Sequence, residues 1–328
     1  MKKPSLSSTP LWDHQKRAIV TIRDYLNVFE QDNSLGSALI HLPTGTGKTG
    51  VIACASHFLK KSGCVLVLCP RVALRDQLCR EISGRFFTKL NFEDDLPKTV
   101  HNVKKGFPNI ADADYGASII SMTIQMLFSL KKKHDNDTAT HQNYATLQNK
   151  VDLIIVDEGH YEPALMWSDA IRGIKAPRLI FTATPFRNDL KLFDVSFDHA
   201  YSYTFKQATE DLTIRKVEIH DRDKQESPTK FVKDVLEFYA QQFGDQADAE
   251  SSPRVIIRCD SQAEIRQIGV ALNNAGRSYV LIHENFKDND AETPHERRTV
   301  PDPNDEPAVF WIHQFKLLEG IDDPRFQR

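Results

Sequence analysis

Short runs of uninterrupted apolar residues recur through the first two hundred positions, each followed by a turn and then an amphipathic stretch. The runs are 37–42 (SALIHL), 64–69 (CVLVLC), 118–122 (SIISM), 153–156 (LIIV) and 178–182 (RLIFT). A strand with no polar alternation must bury both faces. Such strands alternating with helices predict an α/β fold whose parallel sheet is covered on both sides. The helix after the first run carries Val51, Ile52, Ala55, Phe58 and Leu59 on one face. The helix after the second carries Leu74, Leu78, Ile82 and Phe86 at four-residue steps. Residues 131–149 are polar and turn-rich, and read as a surface insertion. Its two histidines, His134 and His141, lack partners at metal-ligand spacing.

The rhythm restarts later in the chain. Residues 212–220 alternate as a strand would, and Phe231, Val232, Val235, Leu236 and Tyr239 mark a connecting helix. Strand RVIIRC (254–259) follows, then a helix with Ile265, Ile268, Gly269 and Leu272, then strand SYVLIH (278–283). A charged stretch, 284–307, reads as a solvated loop before strand AVFWIH (308–313). The expected organisation is a first domain over 1–205, a connecting strand and helix over 206–252, and a partial second domain over 253–328. Only ~75 residues follow Pro253, about half of a usual domain.

Composition removes several classes. With 328 residues, 40% hydrophobic and 27% charged, the chain has material for two ordinary cores. No apolar run approaches the ~20 residues of a membrane span, and residues 1–10 lack the apolar segment of a signal peptide. Five cysteines without a C-x-x-C pair argue against a disulfide framework or a cysteine zinc site, and point to a reducing cytoplasm. Cys54, Cys64, Cys69 and Cys79 read as small core residues. The net charge of −3 excludes a protein that grips nucleic acid by bulk charge, while leaving room for a local basic groove. Lys131, Lys132 and Lys133 read as a solvated face, and Arg75 and Arg80 as surface charges.

The strongest chemical signal is Leu42-Pro43-Thr44-Gly45-Thr46-Gly47-Lys48-Thr49, placed between a strand and a helix. Glycines let the backbone turn its N–H groups towards a polyphosphate, and the helix N-terminus adds a favourable field. Lys48 is spaced to reach the β- and γ-phosphates, and Thr49 to place its hydroxyl on magnesium. The strict phosphate-loop pattern has glycine where this chain has Leu42. A second signal is Asp157-Glu158-Gly159-His160, at the C-terminal end of an apolar strand, where parallel sheets bind ligands. Asp157 is expected to hold magnesium, and Glu158 to orient and deprotonate the attacking water. A third is Thr182-Ala183-Thr184-Pro185, again ending a strand.

In order, LPTGTGKT, CPRVALRDQ, SMTIQ, DEGH, TATP, RVIIRC and LLEGIDDP resemble a superfamily 2 helicase core of the DEAD/DEAH-box type. The resemblance is nearest the branch of type III restriction motor subunits and DNA translocases, and runs from about Leu11 to Phe326. It implies tandem RecA-like P-loop domains, the second incomplete, using ATP and Mg2+. Thr44, Gly45, Thr46, Gly47, Lys48 and Thr49 match the nucleotide loop, and Gln15 matches the glutamine that reads adenine, with Trp12 where arginine is usual. Arg71, Thr123 and Gln125 match segments that track a nucleic-acid backbone. His160, Thr182 and Thr184 match residues coupling hydrolysis to the bound strand. Gly320 and Asp322 match the second-domain segment near the ATP ribose and phosphates. The family's last, arginine-bearing motif would lie beyond Arg328, so low turnover is expected of these residues alone. The implied partners are nucleic acid, DNA ahead of RNA, and nuclease or methyltransferase subunits. The alternative is a non-catalytic module that binds ATP and nucleic acid. A small-molecule kinase or GTPase does not account for TATP and the restarted sheet.

Overall fold

A computed structural model describes residues 10–59, 63–91, 95–104, 117–137, 142–159, 165–184, 195–216, 218–223, 225, 227–244, 252–317 and 324–327. They fall into two compact units, Met1–Val217 and Glu218–Arg328.

The first unit is built on strands β1 (Ser37–His41), β2 (Cys64–Cys69), β3 (Thr99–Asn102), β4 (Ser118–Thr123), β5 (Val151–Val156), β6 (Arg178–Thr182) and β7 (Val195–Ser202). Among the described residues these form one sheet in the order β3-β4-β2-β5-β6-β1-β7, with every pairing parallel. The apolar runs are continuous because the pleat sends alternate residues into two separate cores. Along β2, Val65, Val67 and Cys69 enter the core under helices α1 (Asp13–Phe29), α2 (Lys48–Cys54) and α3 (Val72–Arg80). Cys64, Leu66 and Leu68 enter the opposite one with Ile120, Met122, Ile154 and Val156. The two strands with no apolar run, β3 and β7, are the sheet's edges, where half-exposed polar residues are tolerated.

Several expectations need correction. The periodic helix after β2 does not keep its four-residue step. A π-turn at Glu81–Arg85, with Gly84 at φ 146°, inserts an extra residue before α4 (Phe86–Lys89). The buried aromatic is therefore Phe87, five residues after Ile82, and Phe86 is only partly covered. Arg75 is not a surface charge: it is buried, and donates to the Val103 carbonyl at 3.0 Å and to Asp76 at 2.8 Å. The region 131–149 is more than a polar insertion. It completes α5 (Ile124–Asn136), and a further helix, Asn143–Lys150, buries Tyr144 and Leu147, with the Tyr144 hydroxyl donating to the Ala170 carbonyl at 2.8 Å. Lys131, read from sequence as part of a solvated face, is instead largely covered and paired with Asp135 at 2.7 Å and Asp169 at 2.9 Å. The described residues of 212–220 form no strand. The N–H groups of Thr213 and Ile214 instead bond the Ala208 carbonyl at the end of helix Phe205–Glu210, and Leu212 and Ile219 stay exposed.

The second unit carries β8 (Val255–Arg258), β9 (Tyr279–Ile282), β10 (Glu296–Arg297) and β11 (Phe310–His313), parallel in the order β10-β9-β11-β8. Helices Pro228–Phe243 and Gln262–Asn274 cover it through Val232, Tyr239, Ile265, Ile268 and Leu272. The stretch 284–307 is not wholly loop. It supplies β10, whose buried Glu296 takes both Arg266 nitrogens at 2.7 and 3.0 Å. Cys54, Cys64, Cys69 and Cys79 are buried, as expected for core residues, and Cys259 is buried too; all five are free thiols. No helix among the described residues is long and apolar enough to cross a membrane.

Candidate nucleotide and nucleic-acid site

Parallel strands release all their following loops at one edge of the sheet, so five separate segments of sequence converge there. The phosphate loop leaves β1. Its start is fixed by Leu42 N–H donating to the Thr182 carbonyl at 3.0 Å. The Thr46 hydroxyl donates to the Pro43 carbonyl at 2.7 Å, so that side chain closes the loop on itself. Gly45 and Gly47 have φ of 85° and 75°, the left-handed region open to glycine. A Cβ at Gly47 would also lie 2.3 Å from Gln15 Nε2 and would displace that amide.

Gln15 is buried, and both ends of its amide are engaged. Its Oε1 accepts from Trp12 N–H at 2.9 Å at the start of α1, and its Nε2 donates to the Gly47 carbonyl at 3.0 Å. Trp12 is half exposed beside it. His14, which the sequence did not single out, bonds the Thr46 carbonyl through Nε2 at 2.8 Å and stacks on Tyr203 with centroids 4.2 Å apart. The Tyr203 hydroxyl in turn reaches Asp211 at 2.9 Å and Thr213 at 3.0 Å. The loop is thus held from outside by residues far apart in sequence.

Lys48 opens α2, and its ammonium meets both acids at the end of β5: Asp157 at 3.0 Å, and Glu158 by a direct hydrogen bond. Burial opposes the charge on Lys48, but the two carboxylates outweigh it and hold its pKa above the usual lysine value. Asp157 is anchored by its N–H to the Leu68 carbonyl at 2.8 Å, and its Oδ1 accepts from Glu158 N–H at 3.0 Å. Glu158 sits at φ 51°, a strained conformation for a residue with a Cβ. The next residue must be small, since a Cβ on Gly159 would lie 2.2 Å from Ile180 Cγ2 on β6. His160 lies outside the described residues, as do Gly320 and Asp322.

These residues fit a magnesium–nucleoside triphosphate. The glycine cradle leaves backbone N–H groups for phosphates, and Lys48 supplies the cation. Thr49 and Asp157 are oxygen donors suited to a hard cation that retains several waters. Among the described residues no group of three or more His, Cys, Asp or Glu forms a protein-only metal cage.

The remaining candidates lie along the same edge. Arg71 is exposed at the N-cap of α3, after β2. Thr123 ends β4 and its hydroxyl caps α5 by accepting Met126 N–H at 3.2 Å, while Gln125 is exposed in that helix's first turn. β2 lies between β4 and β5, so the segment with Arg71 follows a strand paired on one side with the strand that ends at Thr123 and on the other with the strand that leads to Asp157. Buried Thr182 donates its hydroxyl to the Thr184 carbonyl at 3.1 Å and accepts Thr184 N–H at 3.0 Å, which closes the TATP turn.

A parallel sheet with a phosphate loop at β1 and an acid pair at β5 defines a RecA-like P-loop core, the core of superfamily 2 helicases. Residues 8–187 match the family described as "Type III restriction enzyme, res subunit", and the chain belongs to that family. It is 28% identical over 183 residues to the general transcription and DNA repair factor IIH helicase/translocase subunit XPB of Enterocytozoon bieneusi, covering 54% of this chain and 29% of that protein. Its fold resembles the ATP-dependent Type ISP restriction-modification enzyme LlaBIII bound to DNA, with a TM-score of 0.56, 16% identity, and coverage of 99% of this chain and 25% of the enzyme. It also resembles S. cerevisiae Dbp5 bound to RNA and ADP BeF3, with a TM-score of 0.52, 14% identity, and coverage of 97% and 78%. The chain spans under a third of the length of XPB and a quarter of LlaBIII.

Proposed function

We propose that this chain is the ATP-hydrolysing core of a helicase or translocase, moving on DNA in preference to RNA. The observation that carries the proposal is the Lys48 ammonium held between Asp157 and Glu158, at the sheet edge where β1 and β5, with β6 between them, both end. In this reading Lys48 leaves the acid pair to neutralise the β- and γ-phosphates. Thr49 and Asp157 then hold the metal, and Glu158 accepts the proton of the attacking water at a carboxylate oxygen. Magnesium, when bound, neutralises charge developing on the phosphate oxygens. Gln15 and His14 keep the loop in register through the Gly47 and Thr46 carbonyls. Arg71, Thr123 and Gln125 form the nucleic-acid track, and Thr182 and Thr184 couple it to the nucleotide. His160, Gly320 and Asp322 complete the assignment from sequence. The preference for DNA, and partners with nuclease or methyltransferase activity, draw on the likeness to a restriction-modification enzyme bound to DNA. Cytoplasmic residence draws on the five free cysteines.

Calorimetry of MgATP binding to wild type and Lys48→Ala tests the nucleotide half. Loss of the fixed cation should weaken binding about tenfold or more, and equal affinities would refute it. Phosphate release measured with added DNA or RNA tests the other half. A rate that neither polymer raises in the full-length protein would refute the motor.

A further inference from the structure

The last residue of β1 is a histidine, and its position gives its ring two neighbours at once. β1 lies between β6 and β7, and His41 is in register with Thr182 on one side and Ser202 on the other. His41 Nε2 lies 3.2 Å from the Ala183 carbonyl, in the middle of the TATP turn, and Nδ1 lies 2.7 Å from Ser202 Oγ. A carbonyl can only accept, so Nε2 carries the proton and donates, and Nδ1 accepts from the Ser202 hydroxyl. Burial lowers the His41 pKa more than the Ala183 bond raises it, which keeps this neutral tautomer at pH 7. The His41 backbone is engaged as well, its carbonyl accepting Tyr203 N–H at 3.0 Å. Tyr203 is the residue stacked on His14, and His14 bonds the phosphate loop at Thr46.

His41 therefore stands one residue before the phosphate loop and pins the turn that carries the two coupling threonines. We propose that His41 is the positioning residue that transmits the state of the phosphate loop to the TATP turn. Both ring nitrogens are engaged by the protein itself, so the role is one of positioning. A shift of the loop that displaces the end of β1 moves the ring, and the ring moves Ala183 and with it Thr184. This inference rests on the motor reading above.

The test is an equilibrium one and needs no turnover. The affinity of the full chain for a fluorescein-labelled single-stranded DNA oligonucleotide, and in a second arm for RNA, is measured with and without Mg-AMP-PNP. The ratio of the two affinities is the coupling. We expect a wild-type ratio of about fivefold or more in either direction, falling towards one in His41→Ala, with each ligand alone binding within about twofold of wild type. His41→Gln should restore the ratio, because its amide can donate to Ala183 and accept from Ser202. A ratio unchanged in His41→Ala overturns the inference. So does a wild-type ratio of one, or a loss of both affinities and melting temperature with the ratio kept, which marks a purely structural role. Failure of the motor reading looks different: wild type would then bind neither Mg-AMP-PNP nor either oligonucleotide.

Discussion

Replacing Glu158 with glutamine separates three quantities that the structure ties together at Lys48. In the structure the ammonium is shared by Asp157 and Glu158, with about a tenth to a fifth of each side chain exposed. Breaking a buried ion pair outright costs ~3–5 kcal/mol. Here Asp157 remains at 3.0 Å and the new amide oxygen still accepts, so Glu158→Gln should lower unfolding free energy by only ~1–2 kcal/mol. The same change removes a competitor for Lys48. If ~1 kcal/mol of that competition is lifted, MgATP should bind up to about fivefold tighter. Turnover should move the opposite way and fall ~10²-fold or more, because no other base replaces the carboxylate. Urea melts, calorimetry and phosphate release report the three in turn. The ion pair is not a pH variable in such assays. The folded pKa of Lys48 is raised above 10.5, so its contribution is complete below that value and is lost only as pH climbs past it. Tenfold weaker ATP binding by the variant would refute the competition argument. Retained turnover would show that Glu158 is not the base.

Two further outcomes test the fold. Phe87→Ala should destabilise the chain by ~3–5 kcal/mol and Phe86→Ala by clearly less, in urea titrations. Equal losses would mean that the π-turn at Glu81–Arg85 does not shift the buried position. His57 is wholly buried with Nε2 on the Ile82 carbonyl at 3.0 Å, and burial chiefly depresses its pKa from 6.5 to about 4. The unfolded chain takes up that proton first, so this stability is present above pH 6.5 and lost as pH falls towards 4, by about 3 kcal/mol in all. The acid limb of the urea midpoint should flatten in His57→Leu. An unchanged limb would place the acid sensitivity elsewhere.

Local order alone settled much of this chain. An apolar run such as CVLVLC can satisfy its backbone in a sheet and its side chains only in two cores. Each apolar run of the first unit is accordingly a strand of one parallel sheet. The phosphate loop and the acid pair were legible because their chemistry is local: glycines at positive φ before a helix, and carboxylates at a strand end. Their meeting through Lys48 follows from the sheet being parallel.

Tertiary contacts decided the rest. Edge strands β3 and β7 carry no apolar run because only one of their sides is paired, and TVHN or VSFDHAYS reads as loop until a neighbour is known. The alternation of 212–220 did not act as a strand signal: among its described residues none joins a sheet edge, and the Thr213 and Ile214 N–H groups close on Ala208 instead. Arg75 looked solvated, yet it is buried because the Val103 carbonyl and Asp76 satisfy its guanidinium. His14, His41 and Tyr203 gave no sequence signal at all. Each acts through a backbone carbonyl or a stacked ring distant in the chain, and such partners exist only once β1 lies between β6 and β7.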